Sequence, residues 1–168
     1  MMMKKIILIA VAIITIGAVA SAQPKAIGGR FGYGPLEASY QHYLGDPNFM
    51  EIDLGAYSYS GHSGFLATGT YNWVFSQPDW TPRGNWSWYA GPGVAFGSVP
   101  RKQKEGDWEN KAMFGIVGQV GLEFQFWFPL QISADVRPII GYSDGEFWDD
   151  VFDAGNIFFP VISIRYMF

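Results

Sequence analysis

The stretch LQISADVRPIIG, residues 130–141, decides the fold, because polar and apolar residues alternate along it. The polar positions are Gln131, Ser133, Asp135 and Arg137. The apolar positions between them are Leu130, Ile132, Ala134 and Val136. Successive side chains of a β-strand point to opposite faces of the sheet. The stretch is therefore predicted to be a strand with one polar face and one apolar face.

The same alternation recurs along the chain, in segments separated by turn residues. Several segments run for about ten residues, close to the ~9–11 of a tilted membrane strand and longer than the ~5–6 of a soluble one. We predict an all-β protein, an eight-stranded antiparallel up-and-down transmembrane β-barrel, because single-chain bacterial barrels have an even number of strands. The predicted strands are 25–33, 36–44, 48–58, 64–75, 85–97, 112–126, 130–142 and 157–168.

The connections between these strands predict an orientation. Short turns at 45–48 and 127–129 are expected on the periplasmic side, and long polar loops at 98–111 and 143–156 on the outer side. Both termini would then be periplasmic, in the outer membrane of a Gram-negative bacterium. Aromatic residues near the strand ends would form two girdles at the headgroup level. The periplasmic girdle would contain Trp73, Phe75, Trp86, Trp88, Phe124, Phe126, Tyr166 and Phe168. The outer girdle would contain Tyr33, Phe65, Phe96, Phe114, Tyr142 and Phe158.

The N-terminal segment is predicted to be a cleavable signal peptide. Residues 1–22 combine a basic start at Lys4 and Lys5, an apolar run and a small-residue cleavage site. The barrel domain is then 23–168. The apolar run is shorter than the ~20 residues of a spanning helix. The chain has no cysteine, so a lipoprotein anchor and disulfides are excluded.

Composition excludes several other classes of protein. Only 15% of the residues are charged, against roughly 25% in an ordinary soluble domain. The formal net charge of −4 argues against nucleic acid as a partner. A soluble lipocalin-like barrel also alternates, but its apolar face would point inward. Glycines on the charged face favour a narrow, crowded interior instead; they are Gly91, Gly93, Gly115 and Gly121.

The chain resembles the small outer-membrane β-barrel proteins of the Bacteroidetes type. The resemblance is carried by WYAGPG at 88–93, GQVGLEF at 118–124, PLQISADVRP at 129–138 and the ending SIRYMF at 163–168. It covers nearly the whole chain after residue 22, and its motifs are architectural. It implies that Tyr166 and Phe168 belong to the C-terminal signal read by the barrel assembly machinery. The other expected partners are outer-membrane lipids and lipopolysaccharide, and we expect a monomer.

Charged residues on the polar faces are expected to point into the lumen. An eight-stranded barrel is only wide enough for side chains to fill, so interior charges must satisfy one another. A guanidinium can bridge two carboxylates. We expect Arg137 and Arg165 to pair with acids of neighbouring strands, Asp135 and Glu123, and Arg30 to join Arg165. The full set is Arg30, Glu37, Glu51, Asp53, Glu123, Asp135, Arg137 and Arg165.

Two functional alternatives remain open beside a plugged, structural lumen. The excess of acids over arginines would also suit a narrow cation pore. His62, flanked by serines in the predicted outer loop 59–63, is a candidate base for a lipid A acyl hydrolase or acyltransferase. We expect a protein that is not an enzyme, since no motif identifies an acid to orient His62.

The last long loop is rich in carboxylates, which suit Ca²⁺ or Mg²⁺. Its spacing matches no EF-hand, and we expect neither a resident metal nor a cofactor. The candidate ligands are Asp144, Glu146, Asp149, Asp150 and Asp153. A short amphipathic turn is the other interpretation, because four apolar residues fall at helical spacing: Phe147, Trp148, Val151 and Phe152.

Overall fold

The computed structural model describes residues 24–32, 35–45, 47–59, 62–102, 108–143, 146–149 and 160–168. The predicted signal peptide lies outside these residues. The strands are β1 (Lys25–Phe31), β2 (Leu36–Tyr43), β3 (Phe49–Tyr59), β4 (His62–Ser76), β5 (Asn85–Lys102), β6 (Trp108–Gln125), β7 (Leu130–Val136), β8 (Ile139–Ser143), β9 (Glu146–Asp149) and β10 (Val161–Met167). Within the described ranges there is no helix of the length and hydropathy that a membrane crossing requires.

The strands close into an antiparallel barrel. Neighbours in sequence pair from β1 to β7, and β10 pairs with both β1 and β7. β7 and β8 both pair with β6, so they form one position in the wall. On the side away from β6, β9 pairs with β8, and β10 pairs with β7. The ten strand segments therefore occupy eight wall positions, which confirms the predicted eight-stranded barrel.

The break between β7 and β8 falls at Arg137 and Pro138. Proline has no backbone N–H to donate to a ladder. The carbonyl of Pro138 still accepts a hydrogen bond of 3.1 Å from the backbone N–H of Gly118 on β6. The regular ladder between β6 and its neighbour is thus interrupted at Pro138, but this hydrogen bond keeps the two segments together.

The two ends of the barrel differ. The end that carries Lys25 and Phe168, here called the termini end, also carries the β2–β3, β4–β5 and β6–β7 turns. Gly45 and Gly84 lie in two of these turns with φ of 118° and 121°, a conformation that side chains other than glycine rarely adopt. The opposite end, here called the loop end, is where β1 leads to β2, β3 to β4 and β5 to β6. There β5 and β6 extend as a hairpin to the pair Lys102–Trp108.

Two predicted segments have a different structure. Most of the predicted loop 98–111 is strand, because β5 and β6 stay paired almost to its tip. Phe147 and Trp148 lie in β9, which pairs antiparallel with β8, and not in a helical turn; Val151 and Phe152 lie outside the described ranges. The described part of the last strand begins at Val161, and residues 157–159 lie outside the described ranges.

The barrel is apolar outside and polar inside. Large apolar side chains stand exposed along the outer face, for example Leu54 at 60% and Ile116 at 62%. The alternate positions on the same strands are buried, as along β3, where exposed Leu54 follows Asp53 at 1%. Strict alternation therefore separates the two faces, as strand geometry requires.

Candidate functional site

The barrel interior is the candidate site, because it concentrates buried charge. Seven of the eight charged residues predicted for the lumen are at most 4% exposed, and the side chain of Arg137 is 7% exposed. They lie on strands β1, β2, β3, β6, β7 and β10 and on the β7–β8 connection. Among these residues five carboxylates face three guanidinium groups. Buried charges are tolerated only when they are paired and hydrogen-bonded.

Arg30 lies at the centre of this network. Its two terminal nitrogens each donate a 2.9 Å hydrogen bond to the carboxylate of Asp135. Its Nε donates to Glu37 at 2.9 Å, and Nη1 also donates to Glu51 at 2.7 Å. Asp53 lies 3.9 Å from Nε. One guanidinium on β1 thus connects carboxylates on β2, β3 and β7.

The other two arginines extend the network in opposite directions. Arg137 contacts Asp53 at 2.5 Å through Nη1 and Glu37 at 2.5 Å through Nη2. Arg165 contacts Glu51 at 2.9 Å, at the same oxygen that Arg30 uses. Arg165 also donates hydrogen bonds of 2.9 Å to the hydroxyls of Ser39 and Ser133. Arg30 and Arg165 are therefore joined through a shared carboxylate.

The pairing differs from the one predicted. Arg137 pairs with Glu37 and Asp53 and not with Asp135, and Arg165 pairs with Glu51 and not with Glu123. The prediction chose acids on adjacent strands. In the narrow lumen, however, a long arginine side chain reaches across to other walls, as Arg137 does to β2 and β3. Strand adjacency therefore does not determine ion-pair partners here.

Glu123 is held differently from the other four carboxylates. Its Oε1 accepts hydrogen bonds from the Tyr43 hydroxyl at 2.7 Å and the Gln125 amide at 2.8 Å. Its Oε2 accepts a hydrogen bond from the Gln131 amide. Each of the other four carboxylates contacts an arginine side chain. The three side chains that donate these hydrogen bonds to Glu123 are all neutral.

Uncharged polar residues link the charged groups. The sequence predictions did not include these residues. The Gln41 amide donates to Glu51 at 2.8 Å, and Gln131 donates to Gln41 at 2.6 Å. Gln119 accepts from Thr70 at 2.7 Å. All of these occupy inward positions of their strands. Extending the alternation rule from charged to amide side chains would have found them.

Tyr89 and Gly121 share one place in the interior. They are direct partners across β5 and β6. A Cβ atom on Gly121 would lie 2.5 Å from both the Tyr89 hydroxyl and its ring. The missing side chain lets the buried tyrosine reach across and donate a 3.2 Å hydrogen bond to Asp135. Gly121 thus makes room for an inward ring in a crowded lumen.

Toward the loop end, part of the inner face carries a buried apolar cluster, which the alternation pattern alone did not predict. The cluster consists of five buried side chains on the inner faces of β4, β5, β6 and β8. Its members are Leu66, Ala95, Met113, Val117 and Ile139. The described interior therefore combines a charged network with an apolar cluster on one part of the wall.

The remaining predicted site residues lie apart from this network. His62 is the first residue of β4, paired with Tyr59, and Ser60 lies outside the described ranges. Glu146 and Asp149 belong to β9, whereas the other candidate metal ligands, Asp144, Asp150 and Asp153, lie outside the described ranges. The described residues contain no group of three or more His, Cys, Asp or Glu side chains placed to hold a metal. Tyr166 and Phe168 are exposed at the termini end.

Aromatic rings cover the outside of the termini end. Trp86 packs against Trp80 with centroids 5.4 Å apart and against Phe124 at 4.6 Å. The series continues through Phe126 to Phe128, with spacings of 4.6 and 5.0 Å. A near-continuous row of rings thus runs from the β4–β5 turn to the β6–β7 turn.

Together, the closed sheet, the ion-paired interior and the apolar exterior define a β-barrel of inverted polarity. Its fold is similar to that of the N-terminal β-barrel domain of Pseudomonas aeruginosa OprF, with a TM-score of 0.62 and 16% sequence identity. The match covers 87% of this chain and 96% of that domain. No protein-family profile matches the chain, and no significant match is found among curated proteins.

Proposed function

We propose that the protein is an integral outer-membrane β-barrel whose lumen is closed by its own side chains. Its role is then structural, or it binds other surfaces through the connections at the loop end. The observation that carries this proposal is the inverted polarity of the barrel. Large apolar side chains cover the outer face, while Arg30, Glu51 and Arg165 are at most 1% exposed inside. Water would penalise such an exterior, whereas hydrocarbon favours it.

Several features support the location and orientation. Exposed rings lie near both ends of the outer face, such as Trp73 and Phe75 at one end and Phe96 and Phe114 at the other. Amphipathic rings favour the membrane interface. The three turns at the termini end would be periplasmic, as would both termini. Kinship with barrels of the Bacteroidetes type belongs to the same proposal and rests on the sequence motifs quoted above.

The contacts inside the barrel support a closed lumen over a pore. Three arginines and five carboxylates interlock across it, and an apolar cluster follows toward the loop end. A narrow channel would need a continuous water path through both regions. The protein is also proposed not to be an enzyme, and to act as a monomer among outer-membrane lipids and lipopolysaccharide after insertion by the barrel assembly machinery.

Gel mobility and membrane fractionation test the barrel in its membrane. The folded protein should sediment with the outer membrane and migrate faster in SDS when unheated than when boiled. Identical mobility in both states, or recovery in the soluble fraction, would overturn the proposal.

Two further measurements test the role. Planar-bilayer recording of the purified protein should show no discrete conductance steps; reproducible steps altered by Arg137→Ala would favour the pore. His62→Ala should leave the acylation of lipid A unchanged, and a changed acylation pattern would favour the enzyme.

A further inference from the structure

Two of the turns at the termini end carry large exposed aromatic rings. Trp80 of the β4–β5 turn is 57% exposed, and Trp127 and Phe128 of the β6–β7 turn are 74% and 39% exposed. The β2–β3 turn at the same end has the sequence LGDPN, residues 44–48, which contains no aromatic residue. The three exposed rings lie in turns, so they are additional to the girdle predicted for the strand ends.

The β4–β5 turn lies against the outer face of the barrel. The Trp80 ring packs on Trp86 and Trp88, two outward residues of β5, with centroids 5.4 and 6.5 Å apart. Gly84 ends the turn with φ of 121° and lies so close to Phe124 that a Cβ atom on it would be 2.5 Å from that ring. The turn therefore continues the apolar surface of β5 and β6.

The β6–β7 turn continues the same surface toward β7. Phe126 packs on Phe124 at 4.6 Å and on Phe128 at 5.0 Å, and Trp127 packs on Phe128 at 5.3 Å. Backbone hydrogen bonds from the N–H of Phe126 to Leu130 and from the N–H of Leu130 to Phe128 hold the turn, at 3.0 and 2.6 Å. The rings of both turns are thus joined by direct contacts to rings on the outer face.

This continuity with the apolar outer face indicates a lipid partner. Aromatic rings, and tryptophan above all, favour the interface between hydrocarbon and water. Asp79 and Arg83 lie on either side of Trp80 in the turn, and both are exposed. Charged side chains are costly in hydrocarbon but are tolerated near the membrane interface. The headgroup layer is therefore the depth that suits both the ring and the charges.

We propose that the β4–β5 and β6–β7 turns lie in the phospholipid headgroup layer, with Trp80, Trp127 and Phe128 inserted among the headgroups. The β2–β3 turn faces water. This inference rests on the proposed function, because it requires the barrel to span a membrane. It adds a lipid-binding surface formed by turns, and it makes the lipid contact at the termini end asymmetric, extended only in the sector from β4 to β7.

Single spin labels test the proposal, because the chain has no cysteine of its own. Pro82→Cys, Pro129→Cys and Asn48→Cys place one nitroxide in each turn, and Leu54→Cys places one on the outer face within β3. The folded protein is reconstituted in vesicles of phosphatidylethanolamine and phosphatidylcholine. EPR then measures collisions of each label with oxygen, which partitions into lipid, and with a nickel chelate, which stays in water.

The labels at 82 and 129 should show an oxygen-to-chelate collision ratio several-fold above that of the label at 48 and below that of the label at 54. Equal ratios at 48, 82 and 129 would overturn the proposal and would leave the rings of the turns open to a soluble protein partner. A label at 54 that is exposed to water would instead overturn the proposed membrane barrel. The two failures are therefore distinguishable.

Matched ring variants test whether Trp80 holds its turn in the headgroup layer. Trp80→Ala, combined with Pro82→Cys, should lower the collision ratio at 82 toward that at 48, because the ring supplies the preference for the interface. Tyr166→Ala is the control, since Tyr166 is also 57% exposed at the termini end but lies on β10. Equal effects of the two variants would contradict the insertion of Trp80. Arg83→Cys is a second label position in the same turn if Pro82→Cys does not fold.

Discussion

Arg30 and Asp135 are 105 residues apart in sequence, yet they meet through two parallel hydrogen bonds of 2.9 Å inside the barrel. Arg30 is on β1 and Asp135 on β7, and β10 lies between these strands. The pair therefore spans the place where the first and last strands of the sheet meet. A bidentate arginine–carboxylate contact has both strength and fixed geometry, so it helps to hold the barrel in its closed register.

Removing Arg30 should destabilise the barrel strongly. Arg30→Gln leaves Asp135, Glu37 and Glu51 with less compensating charge, and breaking a buried ion pair costs about 3–5 kcal/mol. The free energy of unfolding, measured by urea titration in lipid vesicles, should fall by about that amount. Arg83→Gln, in the exposed β4–β5 turn, is the control and should change it by about 0.5 kcal/mol or less. Equal effects of the two variants would contradict the central position of Arg30.

Gly121 should tolerate no larger side chain. Alanine there would place a Cβ atom 2.5 Å from the Tyr89 ring and 2.6 Å from the Cβ of Asp135. We expect Gly121→Ala to lower the free energy of unfolding by about 1–3 kcal/mol, the usual cost of overpacking. Gly69→Ala is a matched control, because nothing lies within 4 Å of the added atom. The same urea titration compares them, and a neutral Gly121→Ala would argue against a filled interior.

Leu54 tests whether the outer face contacts hydrocarbon. It lies at the middle of β3 and is 60% exposed. Leu54→Arg should cost about 2–4 kcal/mol in a bilayer, as arginine does near the midplane of a membrane barrel. Gln77→Arg, in an exposed turn at the termini end, should refold into phosphatidylcholine vesicles like the unaltered protein. If Leu54→Arg keeps full stability, the exterior is in contact with water.

A substitution of Phe168 distinguishes an effect on assembly in cells from an effect on stability in vitro. Its backbone exchanges two hydrogen bonds with Lys25, of 2.8 and 3.0 Å, which do not depend on the ring. Phe168→Ala should therefore refold in vesicles with nearly unchanged stability. If the ring belongs to the assembly signal, the amount of folded protein in the outer membrane should fall. Val161→Ala, at the other end of β10, should show no such loss.

Local sequence pattern was sufficient to predict the barrel. Along 130–141, Asp135 and Val136 must point to opposite faces of the sheet, because the side-chain period of a strand is two. It predicted which charged residues are inward and which apolar ones are outward. The extension of β5 and β6 into the predicted loop 98–111 was not visible in this way. Pairing between two strands stabilises that hairpin, and its polar residues show no alternation of their own.

The sequence by itself determined which face of the predicted strands points inward over the described residues, and therefore the inverted polarity of the barrel. Only the tertiary structure decided which charges meet. Arg137 contacts Glu37 and Asp53, 100 and 84 residues away, because closure of the sheet brings opposite walls within the reach of one side chain. The same closure brings the hydroxyl of Tyr43 on β2 within 2.7 Å of Glu123 on β6, 80 residues away. The alternation of residues sets a direction for each side chain, whereas the shear and width of the closed barrel set the distances between them.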